Sequence, residues 1–243
     1  MINARKKTSR ISTIDQNEIS HFSAHAADWW ALQGTYAPLH KMTPARMAFI
    51  KKALGDLKGQ SILDIGCGGG LVCEPMARLG AKVTGADADA CAIDIAKTHA
   101  QDQNLQTNYF CGAAEDLAEK GLKFDAITAL EILEHVSRPS HFIDLCASLL
   151  KPNGRVIFST LNRTWKSYGL GIIVAERVLN WAPAGTHEWG KFIKPSELAR
   201  MIEASGLQLT TASGLVYQPL HGKFALAPHD LDVNYFMVAT KAK

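Results

Sequence analysis

Apolar and polar positions along this chain follow two rhythms. Short apolar runs near 61–65, 82–86, 107–111, 124–130 and 155–160 read as strands, and amphipathic stretches near 71–79, 88–101, 139–150 and 195–205 read as helices. Nearly continuous apolar strands separated by amphipathic helices predict a parallel sheet covered on both faces, a doubly wound α/β fold. The segment Lys151-Pro152-Asn153-Gly154 predicts a tight turn that launches Arg155–Phe158 as a buried strand, and Leu207–Ala212 and Asp232–Thr240 supply two more. Residues 15–58 read as helices that precede the sheet, with Thr43 as N-cap before an N1 proline, Pro44. One piece, 162–193, breaks the alternation and is expected as a helical insertion after the fifth strand, in a single domain over 15–243 that follows a flexible tail over 1–14.

Composition narrows the classes. A length of 243 residues with 47% hydrophobic and 20% charged residues fits one domain with a sizeable core, and a net charge of +3 is too small to argue for nucleic acid. The five cysteines are scattered and form no Cys-x-x-Cys pair, as in a reducing compartment and unlike a zinc site. The basic leader (Arg5, Lys6, Lys7, Arg10) lacks the apolar core of a secretory signal. An organelle address and a frayed tail are both compatible with it, and the tail is the expectation because helix signals begin near Ile14. In the insertion, Lys166, Glu176 and Arg177 gather on one side of a helical wheel drawn over Trp165–Trp181, with Tyr168, Ile172 and Val178 among the rest. Charges cut this stretch far below the ~20 apolar residues of a membrane span, so it reads as a packed helix, a cap on the site or an interfacial helix.

The chemistry begins at Asp64-Ile65-Gly66-Cys67-Gly68-Gly69-Gly70, directly after the first strand. A glycine turn there lets backbone N–H groups approach a nucleotide-like ligand. A dinucleotide-binding turn needs a sixth-position glycine, which is Leu71 here, so that match fails. The turn instead resembles the first motif of class I S-adenosylmethionine-dependent methyltransferases. Asp87 ends the second strand, at the distance where one βαβ unit delivers a carboxylate to ribose hydroxyls. After the fourth strand, Glu131, Glu134 and His135 put two carboxylates and an imidazole within one turn, with Leu130 at the strand end. His135 or a glutamate could act as general base toward a phenol of pKa about 10, or the three could bind Mg²⁺. His187 and His221 are isolated and read as structural.

The resemblance then becomes specific. Trp29-Trp30, Pro38-Leu39-His40 and Pro44-Ala45-Arg46, together with Glu131–Val136 and Ser159-Thr160-Leu161-Asn162-Arg163, are similar to the ubiquinone-biosynthesis O-methyltransferases. Gly185-Thr186-His187, Lys191–Pro195 and Asp232-Val233-Asn234-Tyr235 extend the likeness over about residues 18 to 240. It implies a Rossmann-like sheet of seven strands, the last antiparallel, and methylation of 2-polyprenyl-6-hydroxyphenol and of 3-demethylubiquinol with S-adenosyl-L-methionine as cofactor. Carried over by position, the cofactor contacts are Arg46, Gly66, Asp87 and Leu130, joined by Asp64 and Gly68 of the turn. The family commonly has Met or Ser where Leu130 stands, which points to a contact through the backbone there. The resemblance maps magnesium ligation onto Glu131, Glu134 and His135, and His135 and Glu131 are the expected catalytic residues, whether they act directly as base or through that ion. The resemblance also implies a bilayer-dwelling substrate, a cytoplasmic enzyme peripheral on the inner face of the membrane through 165–181, association with other enzymes of ubiquinone biosynthesis, and no nucleic acid.

Overall fold

The computed structural model describes residues 12–15, 19, 23, 28–169 and 188–243. Helix α1 (Ala37–Leu54) precedes β1 (Ser61–Ile65), α2 (Cys73–Arg78), β2 (Lys82–Asp87), α3 (Ala90–Asp102), β3 (Asn108–Cys111), α4 (Ala114–Glu119) and β4 (Phe124–Leu130). Then follow α5 (Pro139–Leu149), β5 (Leu150–Leu161), α6 (Pro195–Ala204), β6 (Leu207–Gln218), β7 (Lys223–Ala227) and β8 (Asn234–Lys241). The sheet order is β3-β2-β1-β4-β5-β8-β6-β7, parallel from β3 to β5, with β8 antiparallel to β5 and β6. The antiparallel last strand is as expected, but the sheet has eight strands, not seven. β6 runs on to Gln218 and pairs with β7 in a hairpin that closes through Gly222 at φ 61°, a left-handed position suited to glycine.

Strand parity sorts the core into two faces. Ile62 of β1, Ala126 of β4, Ile157 of β5 and Phe236 of β8 face Phe49 and Ile50 of α1. Leu63, Ile127, Phe158 and Tyr235 face Phe142 and Ile143 of α5 and Leu198 of α6. The Lys151–Gly154 turn lies inside β5 as a bulge. Pairing with β4 jumps from Phe124↔Leu150 to Ala126↔Arg155, and Asn153 turns at φ 61°.

Two local expectations change. Thr43 does not cap a helix at Pro44, because α1 already starts at Ala37 with Pro38 in its first turn. The Thr43 hydroxyl donates instead to the Leu39 carbonyl at 2.8 Å. Pro44 removes the N–H that would reach the His40 carbonyl, at a cost of about 3 kcal/mol in a free helix. Burial of Met42, Ala45, Phe49 and Ile50 against the sheet carries the helix through it. The tail expected over 1–14 is docked at its end. Thr13 N–H donates to Glu115 Oε1 at 2.6 Å, its hydroxyl to Oε2 at 3.2 Å, and Ser137 N–H donates to the Thr13 carbonyl at 3.0 Å. Residues 170–187 lie outside the described residues, and with them the expectations on Ile172, Glu176, Arg177, Val178, Trp181 and Gly185-Thr186-His187. The near flank of the insertion forms a single helical turn, Trp165–Ser167.

Gly214 in β6 marks where β7 and β8 close on the sheet. A Cβ there would lie 1.6 Å from the Asp230 carbonyl oxygen, so no side-chain motion relieves it. Gly214→Ala is expected to lower stability by about 3 kcal/mol, read as an earlier urea midpoint at unchanged slope.

Candidate active site

A cleft of about 630 Å³ opens over the carboxyl ends of the parallel strands, the usual ligand position in such a sheet. Asp64, Gly66, Gly68, Arg46, Asp87, Leu130, Glu131, Glu134 and His135 all line it. The glycine turn is left-handed at Gly66 (φ 75°), Gly68 (φ 50°) and Gly70 (φ 89°). A Cβ on Gly66 would sit 2.5 Å from Ile132 Cδ1, and one on Gly68 would sit 2.2 Å from the Trp29 ring. The glycines therefore serve close packing by the protein itself as well as backbone access. Trp29 stacks on Tyr36 at 3.8 Å, while Trp30 stacks on His99 at 3.5 Å and donates to the Gly69 carbonyl.

Asp87 ties the turn to β2. Its Oδ2 accepts from Gly68 N–H at 2.8 Å and its Oδ1 from Asp89 N–H at 2.9 Å. Burial raises its pKa, and these backbone donors oppose the rise. Asp89 was not singled out in the sequence. Its Oδ1 caps α3 through Cys91 N–H at 2.9 Å, while its buried Oδ2 has no hydrogen-bond partner and the residue lines the cleft.

Parity builds the floor. Asp64 and Thr128 are register partners on the α1 face, and Thr128 Oγ1 donates to Asp64 Oδ1 at 2.6 Å, with Cys73 Sγ donating to Oδ2 at 3.3 Å. Burial pushes Asp64 up to about 6 despite these donors. Arg46 reaches the same face from α1, only 4% exposed. Its Nη2 lies 3.7 Å from Glu131 Oε1, and its Nε and Nη2 make no hydrogen bond. That buried edge of guanidinium is a fork suited to an anionic oxygen pair.

Glu131 follows β4 at φ 53°, rare for a residue with a side chain and typical of strained functional positions. Its N–H bonds the Ser159 carbonyl at 3.0 Å, its Oε1 accepts from Ser159 Oγ, and its Oε2 accepts from Asn234 Nδ2 at 2.8 Å. Glu134 accepts instead from Thr160 Oγ1 at 2.7 Å. Ser159 and Thr160 are neighbours on one strand and point to opposite faces, so the two glutamates are held on opposite sides of β5. Burial and the Glu131 charge push Glu134 up to about 7. Among the described residues no three His, Cys, Asp or Glu side chains gather at metal-ligating separation. As arranged, the donors do not make a ready magnesium site, and a shared ion would require one glutamate to leave its hydroxyl partner. His221 stands apart, on the 3-10 turn Pro219–His221, and does not line the cleft.

A model described as a methyltransferase domain matches residues 39–212. A ubiquinone biosynthesis O-methyltransferase of Bartonella bacilliformis is 46% identical over 241 residues, covering 95% of this chain and 97% of that one. One from Idiomarina loihiensis is 46% identical over 242 residues and covers 99% of each. The chain belongs to the ubiquinone biosynthesis O-methyltransferase family. Its fold is shared with magnesium protoporphyrin IX methyltransferase of Synechocystis, solved with bound S-adenosylhomocysteine, at a TM-score of 0.67 and 21% identity over 94% of this chain and 100% of that one. Within the family frame, Asp89 and Asn234 are two cleft residues with an unmatched buried acceptor that sequence reasoning left without a role. The Asp-x-Asp spacing from Asp87 was the one available signal for Asp89.

The raised pKa of Asp64 has a sign that can be checked. Its neutral form suits the fold, so its contribution is whole below about pH 4 and is lost as pH rises through about 6. Asp64→Asn never ionises. Its stability relative to the parent is expected to rise by about 2 kcal/mol between pH 4 and pH 7 in urea titrations of ligand-free protein. A flat difference would show that the carboxyl is not perturbed.

Proposed function

We propose that this chain transfers a methyl group from S-adenosylmethionine to one hydroxyl of a polyprenylated catechol or hydroquinol, with Glu131 or His135 as proton acceptor. Membership of the family supports the reaction class, and the observation that carries the site is the convergence of the glycine turn, Asp87, Arg46 and Glu131 on one cleft. Bound S-adenosylmethionine supplies an already activated methyl group on sulfur. The protein's task is then alignment, exclusion of water and removal of one proton.

In this reading the backbone of Gly66–Gly68 and the acceptor atoms of Asp87 and Asp89 take the nucleoside. The Nε and Nη2 of Arg46, which make no hydrogen bond within the protein, take an anionic oxygen pair of the amino-acid portion. Leu130 offers backbone and apolar contact at the end of β4. Asp64 fixes the turn from below through Thr128 and Cys73. The acceptor hydroxyl lies toward Glu131, whose carboxylate is oriented by Ser159 and Asn234. A phenol of pKa about 10 needs such an acceptor near neutrality, and an ionised carboxylate among buried dipoles is competent to assist.

The far wall suits an apolar tail. Leu215, Val216, Tyr217, Pro219 and Phe224 of the β6–β7 hairpin line the cleft, and Leu220 at the hairpin's tip is 97% exposed. Beside the mouth, Trp165 is 78% exposed and stacks on Trp189 at 5.2 Å, with Tyr168 edge-on to both. Among the described residues no helix is long and apolar enough to cross a membrane. Exposed aromatics beside an apolar cleft support contact with a bilayer interface from one side.

Two experiments test this reading. Incubation with labelled S-adenosylmethionine and a short-chain demethylubiquinol is expected to yield the methylated product, with and without a chelator, and Glu131→Gln is expected to reduce kcat by about 100-fold. Absence of transfer in every condition, Mg²⁺ included, would overturn it. For the surface, flotation with anionic liposomes is expected to carry the parent protein, and Trp165→Asp with Leu220→Asp to leave it in the dense fraction. Flotation unchanged by these substitutions would show that these side chains make no contact with the bilayer.

A further inference from the structure

Asn234 is the first residue of β8, and the direction of that strand explains its position. Because β8 runs antiparallel to β5, it begins at the sheet edge where the parallel strands end. Its register partners are Leu161 of β5 and Leu215 of β6, and the residue is 5% exposed in the cleft wall. Its Nδ2 donates to Glu131 Oε2 at 2.8 Å. An ionised carboxylate only accepts hydrogen bonds, so this contact fixes the amide: the NH₂ points to Glu131 and Oδ1 points away from it. That oxygen is buried and has no hydrogen-bond partner. A buried amide acceptor left unmatched carries a desolvation cost, and a donor arriving with a ligand removes it.

The proposed acceptor class supplies such a donor. A catechol or a hydroquinol with adjacent hydroxyls presents one hydroxyl for methylation and a second on the neighbouring ring carbon. Glu131 and Asn234 are two acceptors joined by one hydrogen bond, the matching arrangement on the protein side. We propose that Asn234 is a positioning residue that selects ortho-dihydroxy acceptors: its Oδ1 accepts a hydrogen bond from the second hydroxyl while Glu131 faces the reacting one. The amide thereby holds the carboxylate and the substrate in a single register. A monophenol would leave Oδ1 unmatched, which is how a site built around a hydroxyl rejects an analogue that lacks it. The inference rests on the O-methyltransferase reading given above and adds what the site reads in its substrate.

The test compares the parent protein with Asn234→Ala and Asn234→Ser on two acceptors with the same short prenyl chain, a catechol and the corresponding monophenol. S-adenosylhomocysteine affinity is measured alongside by calorimetry, as a readout of folding and of the cofactor half of the cleft. Where the monophenol is not turned over, its constant as a competitive inhibitor is read instead. The parent protein is expected to favour the catechol. Both variants are expected to lose about 10- to 100-fold in the preference for the catechol over the monophenol, read as the ratio of their constants, beyond any common loss that both acceptors suffer through Glu131, and to keep their S-adenosylhomocysteine affinity. An equal loss on both acceptors, no loss on the catechol, or weakened S-adenosylhomocysteine binding overturns the proposal. Failure of the parent protein to methylate either acceptor sinks the catalytic reading itself, so the two failures are told apart.

Discussion

The guanidinium of Arg46 lies buried among the carboxylates of Asp64, Glu131 and Glu134, and the electrostatics of the cleft follow from that one cation. Burial disfavours its charge, while Glu131, Asp64 and Glu134 restore it. The carboxylates depend on it in turn, since a buried acid without a cation shifts toward its neutral form. One cation does not suffice for three acids, and Asp64 and Glu134 are displaced upward by burial even in its presence. Among the described residues the cleft is lined by seven carboxylates, from Asp15 to Asp230, against only two permanently charged cations, Arg46 and Lys166. Lys166 is already engaged with Asp230 and Asp232 at 3.2 and 3.1 Å. Such a lining favours a positively charged ligand. A sulfonium would bring that charge in and lose it with the methyl group, so in the proposed reaction the same field would favour the reactant over the thioether product.

The second organising fact is the period of two along a strand. It assigns Asp64, Thr128, Ser159 and Asn234 to the face of α1, where Arg46 arrives, and Thr160 to the other face. The strained backbone of Glu131 turns its carboxylate toward the first group, whereas the 3-10 turn Leu133–His135 carries Glu134 to the second. The two glutamates thus do different work: one is held open to the cleft by Ser159 and Asn234, and the other is buried against Thr160.

This explains what could be read from the chain and what could not. β1, β4 and the glycine turn were legible because continuous apolar runs and left-handed glycines are local signals. Asp87 was legible because the length of a βαβ unit is fixed. The start of α1 was not, since Thr43-Pro44 is a strong local cap signal that burial of Met42 and Ala45 overrides. β7 was missed because its residues are only partly buried and show no clean alternation. Asn234 and Asp89 acquire meaning only from strand direction and from orphaned hydrogen-bonding atoms, which no spacing reveals. The grouping of Glu131 with Glu134 came from adjacency in the chain, and adjacency does not say which side of a sheet a side chain takes.

Among the described residues, the cover over the cleft differs from side to side. Thr13 is pinned to Glu115 of α4 and to Ser137 beyond β4, so this residue bridges two separate elements at the rim of the cleft. Trp29 lies over Gly68 and Gly69, and Trp30 is locked onto His99, whose Nδ1 meets Glu74. Loosening that cover would break buried hydrogen bonds and ring stacks together. The β6–β7 hairpin offers no comparable barrier: its inner residues are apolar and half-buried, and Leu220 projects outward.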